Sequence, residues 1–189
     1  MPLYSLNNMK SETFDILKKT LVKKWAELGI KRIGVGVSGG PDSMVLLSFL
    51  CSLCEKNPDS GMQLFVLTID HNMRQGGVSA ADSDFGLNWV KAKKAETPLL
   101  KISAEKQTFE PGLIAGTAEE RGRGHEEAAR FLRYNAFEKF AAHYNLDVFC
   151  TAHNQNDAIE TLVQRFLQGA SPLSSGGILE ERGIFFRPL

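Results

Sequence analysis

Ser38-Gly39-Gly40-Pro41-Asp42-Ser43 stands between two apolar segments and limits what this chain can fold into. Ahead of it, Ile33-Gly34-Val35-Gly36-Val37 alternates apolar and glycine positions as a short buried strand does. Behind it, Met44, Val45, Leu46, Leu47, Phe49 and Leu50 predict an apolar helix without a breaker. A strand, a glycine-rich turn and a helix in that order form an anion site. The glycines let backbone N–H groups turn inward, and the helix N-terminus adds about half a positive charge. Ser38 and Ser43 add hydroxyl donors for phosphate oxygens. Asp42 is out of place beside a phosphate unless a cation lies between them, which argues for a magnesium-nucleotide site. Neither the lysine-bearing phosphate loop nor a G-x-G-x-x-G turn follows the strand.

Glycine and serine are common in ordinary strand-to-helix turns, so the paired serines and the aspartate carry this reading rather than Gly-Gly alone. Ser-Gly-Gly-x-Asp-Ser after a strand resembles the pyrophosphate-binding loop of the ATP pyrophosphatases. The resemblance implies a loop that holds the ATP phosphates while the α-phosphorus is attacked and pyrophosphate leaves.

The rest of the chain predicts an α/β domain, a mostly parallel five-stranded sheet with helices on both faces, Rossmann-related and like the adenine nucleotide α-hydrolases. With 189 residues, 43% of them hydrophobic, the chain suffices for one domain, read as 1–189. Ser11 is placed to cap a helix to about Leu28, with Phe14, Leu17, Leu21, Trp25 and Leu28 on one stripe and Gly29 ending it. Residues 57–61 read as a turn, and Gln63–Ile69 as a second strand covered on both faces. That strand delivers Asp70-His71-Asn72-Met73-Arg74 to the carboxyl end of the sheet, where doubly wound folds bind ligands. Ser79 then caps a helix to about Lys94 with Phe85, Trp89 and Val90 inward, and Pro98–Ile102 reads as a short third strand. Ala104–Gly124, with four glycines and Arg121 and Arg123, reads as a long irregular loop and a candidate lid. A helix resumes over His125–Tyr144, placing Arg130 and Arg133 on one side. Leu146–Ala152 forms the fourth strand and delivers His153 through Thr161 into a last helix ending near Gly169, with Asp157 and Glu160 on a shared face. Ile184–Leu189 reads as a closing strand or arm.

Composition narrows the setting. The formal net charge is zero, so the whole chain offers no general attraction to nucleic acid or to acidic membranes. No signal peptide or spanning segment is apparent, and an odd count of three cysteines suits a reduced, cytoplasmic protein better than a disulfide framework. Cys51 and Cys54 have metal or redox spacing but lack a second pair, and read as helix-end core or surface residues.

Four blocks in order make the chain similar to the tRNA(Ile)-lysidine synthetases: Ser38–Ser43, Asp70–Arg74, Glu127–Tyr134, and Ala152-His153 through Glu160-Thr161; Arg187-Pro188-Leu189 also matches. The resemblance implies an ATP-dependent ligase acting on tRNA(Ile) with a CAU anticodon. ATP adenylates the 2-oxygen of the first anticodon cytidine, L-lysine attacks the 2-carbon, and lysidine, AMP and pyrophosphate result. Roles follow at matched positions. Ser38, Gly39, Gly40, Pro41, Asp42 and Ser43 would hold ATP, with Asp42 and Asp157 near magnesium. Asp70, His71 and Arg74 would line the nucleotide crevice, Arg133 would help the phosphate or adenylate, Glu160 would receive lysine, and His153 would order that wall. Asn154 and Asn156 depart from the second histidine and adjacent aspartates usual in the last block, and coordinate only through neutral carbonyl oxygens. The family normally continues past Arg187-Pro188-Leu189 into tRNA-gripping domains, so these residues read as the catalytic domain without them. No membrane partner is expected, and a homodimer is left open. The competing readings are a tRNA thiolase of the same superfamily and a nucleotide-binding module without chemistry.

Overall fold

The computed structural model describes residues 19, 21–72, 78–152 and 185–186. The chain alternates strand and helix: α1 (residues 21–27), β1 (Arg32–Val37), α2 (Pro41–Lys56), β2 (Gln63–Asp70), α3 (Val78–Glu96), β3 (Ile102–Thr108), α4 (Leu113–Arg121), α5 (His125–His143), β4 (Val148–Thr151) and β5 (Phe185–Phe186). The strands form one sheet in the order β3-β2-β1-β4-β5, and each neighbouring pair is parallel. Four strands are of substantial length and the fifth has 2 residues, so the expected parallel α/β sheet is present.

Strand order explains the layering. From β1 the chain moves outward to β2 and β3, then returns to β4 on the other side of β1. With right-handed crossovers, that reversal sends later helices to the opposite face. Side-chain alternation agrees. Ile33, Val35, Leu64, Val66, Val148 and Cys150 pack with Leu21, Trp25, α2 and Val90 of α3. Phe65, Leu67, Ile69 and Phe149 pack with Ile114 and Ala118 of α4 and with Phe137 and Phe140 of α5.

β1 is central because one of its faces is nearly bare. A Cβ added at Gly34 would lie 2.5 Å from both Leu146 Cδ1 and Phe149 Cδ2, and one at Gly36 would lie 2.8 Å from Phe137 Cζ. The two glycines therefore let the aromatic layer of α5 and β4 rest on the strand itself, with the Phe137 and Phe149 rings 4.6 Å apart.

Four sequence expectations are corrected. The third strand is not Pro98–Ile102: residues 98–100 turn, and the strand runs Ile102–Thr108. As an edge strand it buries Ile102 and half-buries Ala104 and Lys106, so its polar composition reads as loop. The segment read as an irregular lid over Ala104–Gly124 instead holds most of β3 and all of α4. Gly112 and Gly122, at φ +83° and +60°, are the two caps of α4 rather than marks of a loop. Phe85 points outward, 53% exposed, because α3 rests on the sheet through Ser83, Gly86 and Val90. A Cβ at Gly86 would be only 3.2 Å from Thr68 Cγ2 and Val37 Cγ1, which draws this helix close. Leu28, expected on the buried stripe, is 44% exposed because it follows the helix in the turn ended by Gly29. Ser11, Phe14, Leu17, the helix expected after His153, and residues 187–189 lie outside the described residues.

Two glycines should respond oppositely to alanine. Gly34→Ala overpacks the sheet and should lower stability by about 1–3 kcal/mol. Gly116→Ala, within α4 and with nothing within 4 Å of the added methyl, should be neutral or stabilise by about 0.5–1 kcal/mol. Urea unfolding of the two variants checks both signs.

Candidate nucleotide site

The loop after β1 is folded by its own serines. The Ser43 hydroxyl donates to the Gly40 carbonyl at 2.9 Å and accepts from the Ser38 backbone N–H at 3.2 Å. Its oxygen also lies 3.2 Å from Ser38 Oγ, which accepts the Gly40 N–H at 3.4 Å. Both hydroxyls therefore tie the loop to itself, but Ser43 is buried whereas Ser38 is exposed and also faces outward.

Gly40 is the N-cap of α2 and makes no side-chain capping bond, and Pro41 fills the first helical position. The first-turn N–H groups of α2 therefore point out of the helix uncapped by a side chain, the arrangement that binds anions. Gly39 has φ +81°, and a Cβ there would lie 2.4 Å from the Asp82 carbonyl oxygen. Only glycine satisfies both the left-handed backbone and this contact with α3. Asp42 is exposed in the first turn of α2, beside the loop, where an oxygen ligand for a hard cation belongs.

β2 brings a second group to the same end of the sheet, since Val37 pairs in register with Thr68. Asp70 is 6% exposed, and its Oδ1 accepts the Asn72 N–H at 3.0 Å, closing an Asx turn that holds Asn72 at φ +49°. The Asn72 side-chain amide donates to the Phe109 carbonyl at 3.4 Å, and the Phe109 N–H to the Asp70 carbonyl at 2.9 Å. Asp70 Oδ2 lies 3.7 Å from Lys106 Nζ, which is also 2.7 Å from Asp84 Oδ1. Lys106 and Asp84 carry no motif signal and are not among the site residues expected from the sequence; they lie on different elements, β3 and α3, and only the fold brings them together.

His71, presented by that turn, is half-buried with its ring 5.4 Å from Phe109, edge to face. Burial, and then the Arg133 charge, push its pKa down to about 4, against a smaller opposing pull from Asp70. Arg133 of α5 is half-buried, and burial is the main cause of its own lowered pKa, with Arg130 adding to it. Arg130 lies over the Tyr134 ring at 5.2 Å. The structure thus gathers Ser38–Ser43, Asp70, His71 and Arg133 around the carboxyl ends of β1 and β2. Arg74, His153, Asn154, Asn156, Asp157 and Glu160 lie outside the described residues.

Cys51, Cys54 and Cys150 are buried free thiols on the α2 side of the sheet, each pushed up to about 12, chiefly by burial. They are core residues. Among the described residues no cluster of metal-ligating side chains occurs, and no helix is long and apolar enough to cross a membrane.

A parallel sheet with its strand order reversing at β1, and an uncapped helix start behind a left-handed glycine, define an α/β protein of the phosphate-loop class. The PP-loop domain family matches residues 11–189, and the chain belongs to that family. Among curated relatives, the tRNA(Ile)-lysidine synthase of Treponema denticola is 40% identical over 158 residues, covering 84% of this chain and 32% of that protein. The tRNA(Ile)-lysidine synthase of Bacillus subtilis is 32% identical over 158 residues, covering 82% and 30%. The chain spans about a third of the length of these relatives. Among solved structures, the U34-tRNA thiolase NcsA of Methanococcus maripaludis aligns with TM-score 0.58 at 16% identity, over 95% of this chain and 60% of that one. An NAD+ synthetase from Burkholderia pseudomallei aligns with TM-score 0.55 at 14% identity, over 80% and 64%. At such identities the likeness shows the shared fold.

The His71 environment predicts a pH dependence of stability. From the ordinary histidine value of 6.5 down to about 4, the unfolded chain takes up a proton that the folded chain refuses. Stability should therefore fall on acidification through that window and be regained as pH rises. His71→Gln should flatten this part of the stability profile, and the His71 ring resonances should titrate near pH 4 rather than 6.5.

Proposed function

We propose that this chain carries the adenylating active site of a tRNA(Ile)-lysidine synthase. The observation that carries the reading is the set of curated relatives of that name, 31–40% identical over most of the chain and aligned through a domain of the PP-loop family. ATP binds with its phosphates over Ser38–Ser43, against the outward N–H groups and the positive end of the α2 dipole. The cytidine 2-oxygen of a tRNA(Ile) with a CAU anticodon attacks the α-phosphorus, and pyrophosphate leaves. The ε-amine of L-lysine then attacks the 2-carbon, the bond from carbon to the adenylate oxygen breaks, and AMP leaves.

The residues divide these tasks. Magnesium fits the oxygen donors Asp42 and Asp157 and, when bound, neutralises phosphate charge. Arg133 supplies a fixed cation for charge developing on the phosphate or adenylate. Asp70, with Arg74, holds the crevice, and His71, neutral at physiological pH, offers a hydrogen bond without adding a second positive charge beside Arg133. Glu160 receives the lysine ammonium through a charge-assisted bond, and His153 orders that wall. A reducing cytoplasm suits the three free thiols.

The thiolase reading is less well supported. A sulfur carrier or cluster ligand works as a thiolate, whereas Cys51, Cys54 and Cys150 are core thiols held at about 12. Incubation of an isoleucine tRNA transcript with the protein, ATP, magnesium and lysine should add the mass of lysine less one water to the tRNA. Addition of sulfur would select the thiolase, and no change in mass with ATP still bound would leave a binding module.

Two substitutions separate the half-reactions. Asp42→Asn should abolish tRNA-dependent ATP–pyrophosphate exchange with little change in melting temperature; exchange at the wild-type rate would remove Asp42 from the site. Glu160→Gln should raise the KM for lysine about ten-fold or more, in line with about 1.5–3 kcal/mol for a charged hydrogen bond, while exchange largely survives. Equal loss of exchange and lysine use would move Glu160 to the nucleotide or metal.

A further inference from the structure

Lys106 lies on the edge strand, paired in register with Thr68, and belongs to none of the sequence blocks that carry the family resemblance. Its ammonium sits between two carboxylates, 2.7 Å from Asp84 Oδ1 and 3.7 Å from Asp70 Oδ2. Each carboxylate leads to a different part of the site. Asp84 is on α3, two residues beyond Asp82, whose carbonyl oxygen would lie 2.4 Å from a Cβ at Gly39. That carbonyl is the wall against which the phosphate loop rests. Asp70 uses its other oxygen to accept the Asn72 N–H at 3.0 Å, forming the turn that presents His71.

From this geometry we infer that Lys106 is a positioning residue that couples the phosphate loop to the β2 turn by holding α3 against the sheet. Packing makes the coupling mechanical. Gly39 and Gly86 both approach their neighbours too closely for a side chain to fit freely, so a shift of α3 is transmitted to the loop rather than absorbed. The exposed Lys106–Asp84 pair adds little global stability by itself. Its value lies in alignment, because without the ammonium the Asp70 and Asp84 carboxylates face each other and drive α3 outward. The consequence for ATP rests on the nucleotide reading of the loop, whereas the coupling does not.

The test uses the 189-residue chain in wild-type form and as Lys106→Met, Lys106→Arg, Asp84→Asn and the Met/Asn double variant. Amide spectra without nucleotide should show the Gly39 and Asn72 resonances moving together in Lys106→Met and returning toward wild type in Lys106→Arg. Gly61, at the opposite end of β2, should stay in place. The Kd for magnesium-ATP, measured by calorimetry, should rise roughly ten-fold in Lys106→Met, below the hundred-fold that a misplacement of about 1 Å costs a reacting group. Asp84→Asn should weaken ATP in the same direction, and the double variant should be no worse than the worse single one, as expected for one shared contact. An unmoved Gly39 resonance overturns the coupling. So does an ATP loss in Lys106→Met that Asp84→Asn does not reproduce, which would mean that Lys106 touches the nucleotide itself. Coupled shifts in Lys106→Met, together with a wild-type chain that binds no ATP, would sustain the inference and reject the nucleotide reading. Asp84 is largely exposed, so Asp84→Asn reports on the coupling even if Lys106→Met fails to fold.

Discussion

The contact between Gly39 and the carbonyl of Asp82 is the constraint on which the rest of the site depends. At φ +81° the glycine adopts a backbone conformation that other residues rarely tolerate, and its missing Cβ leaves room for the α3 backbone. The loop is thereby pinned on one side by a helix and on the other by the Ser43 hydroxyl, which reaches back to Gly40. What remains free is the outward set of N–H groups at the start of α2. A phosphate-binding loop needs this division: bonds that fix its shape must not consume the donors that meet the ligand.

The same economy of side chains extends into β1. On one face Ile33, Val35 and Val37 fill the layer shared with α2, while on the other Gly34 and Gly36 allow Phe137 and Phe149 to lie directly on the strand. The aromatic layer in turn positions α5, the helix that carries Arg130 and Arg133 toward the strand ends. Core packing and site geometry are therefore one problem here, since the residues that make β1 central also set where the arginines stand.

Electrostatics at the strand ends splits into two compartments. On the α5 side, burial and the neighbouring Arg133 keep the His71 imidazole neutral. On the α3 side, Asp70 stays compatible with burial because Lys106 and the Asn72 N–H meet its two oxygens. The adjacent residues Asp70 and His71 point to opposite faces of the sheet, as strand alternation requires, and each finds its counterpart on a different helix layer. The strand ends thus present a fixed cation and a neutral ring on one side and, on the other, one ammonium between two carboxylates.

The strand-loop-helix unit around Ser38–Ser43, the buried strand Gln63–Asp70, the helix from His125 and the family blocks were legible from local order alone, because each buries a continuous apolar pattern or carries a distinctive spacing. Tertiary structure decided what local pattern could not. Ile102–Thr108 becomes a strand only because β2 offers it a partner, and its polar residues face solvent at the edge of the sheet. Gly112 and Gly122 become helix caps only once Ile114 and Ala118 have a core to enter. Phe85 turns outward because Gly86 beside it permits the closer approach to β1 and β2. Lys106 gains a role because the fold places Asp70 and Asp84, 14 residues apart in the chain, around one ammonium. Periodicity records which face a segment would bury, whereas edge pairing, close backbone approach and ion pairs between distant residues arise only when the layers meet.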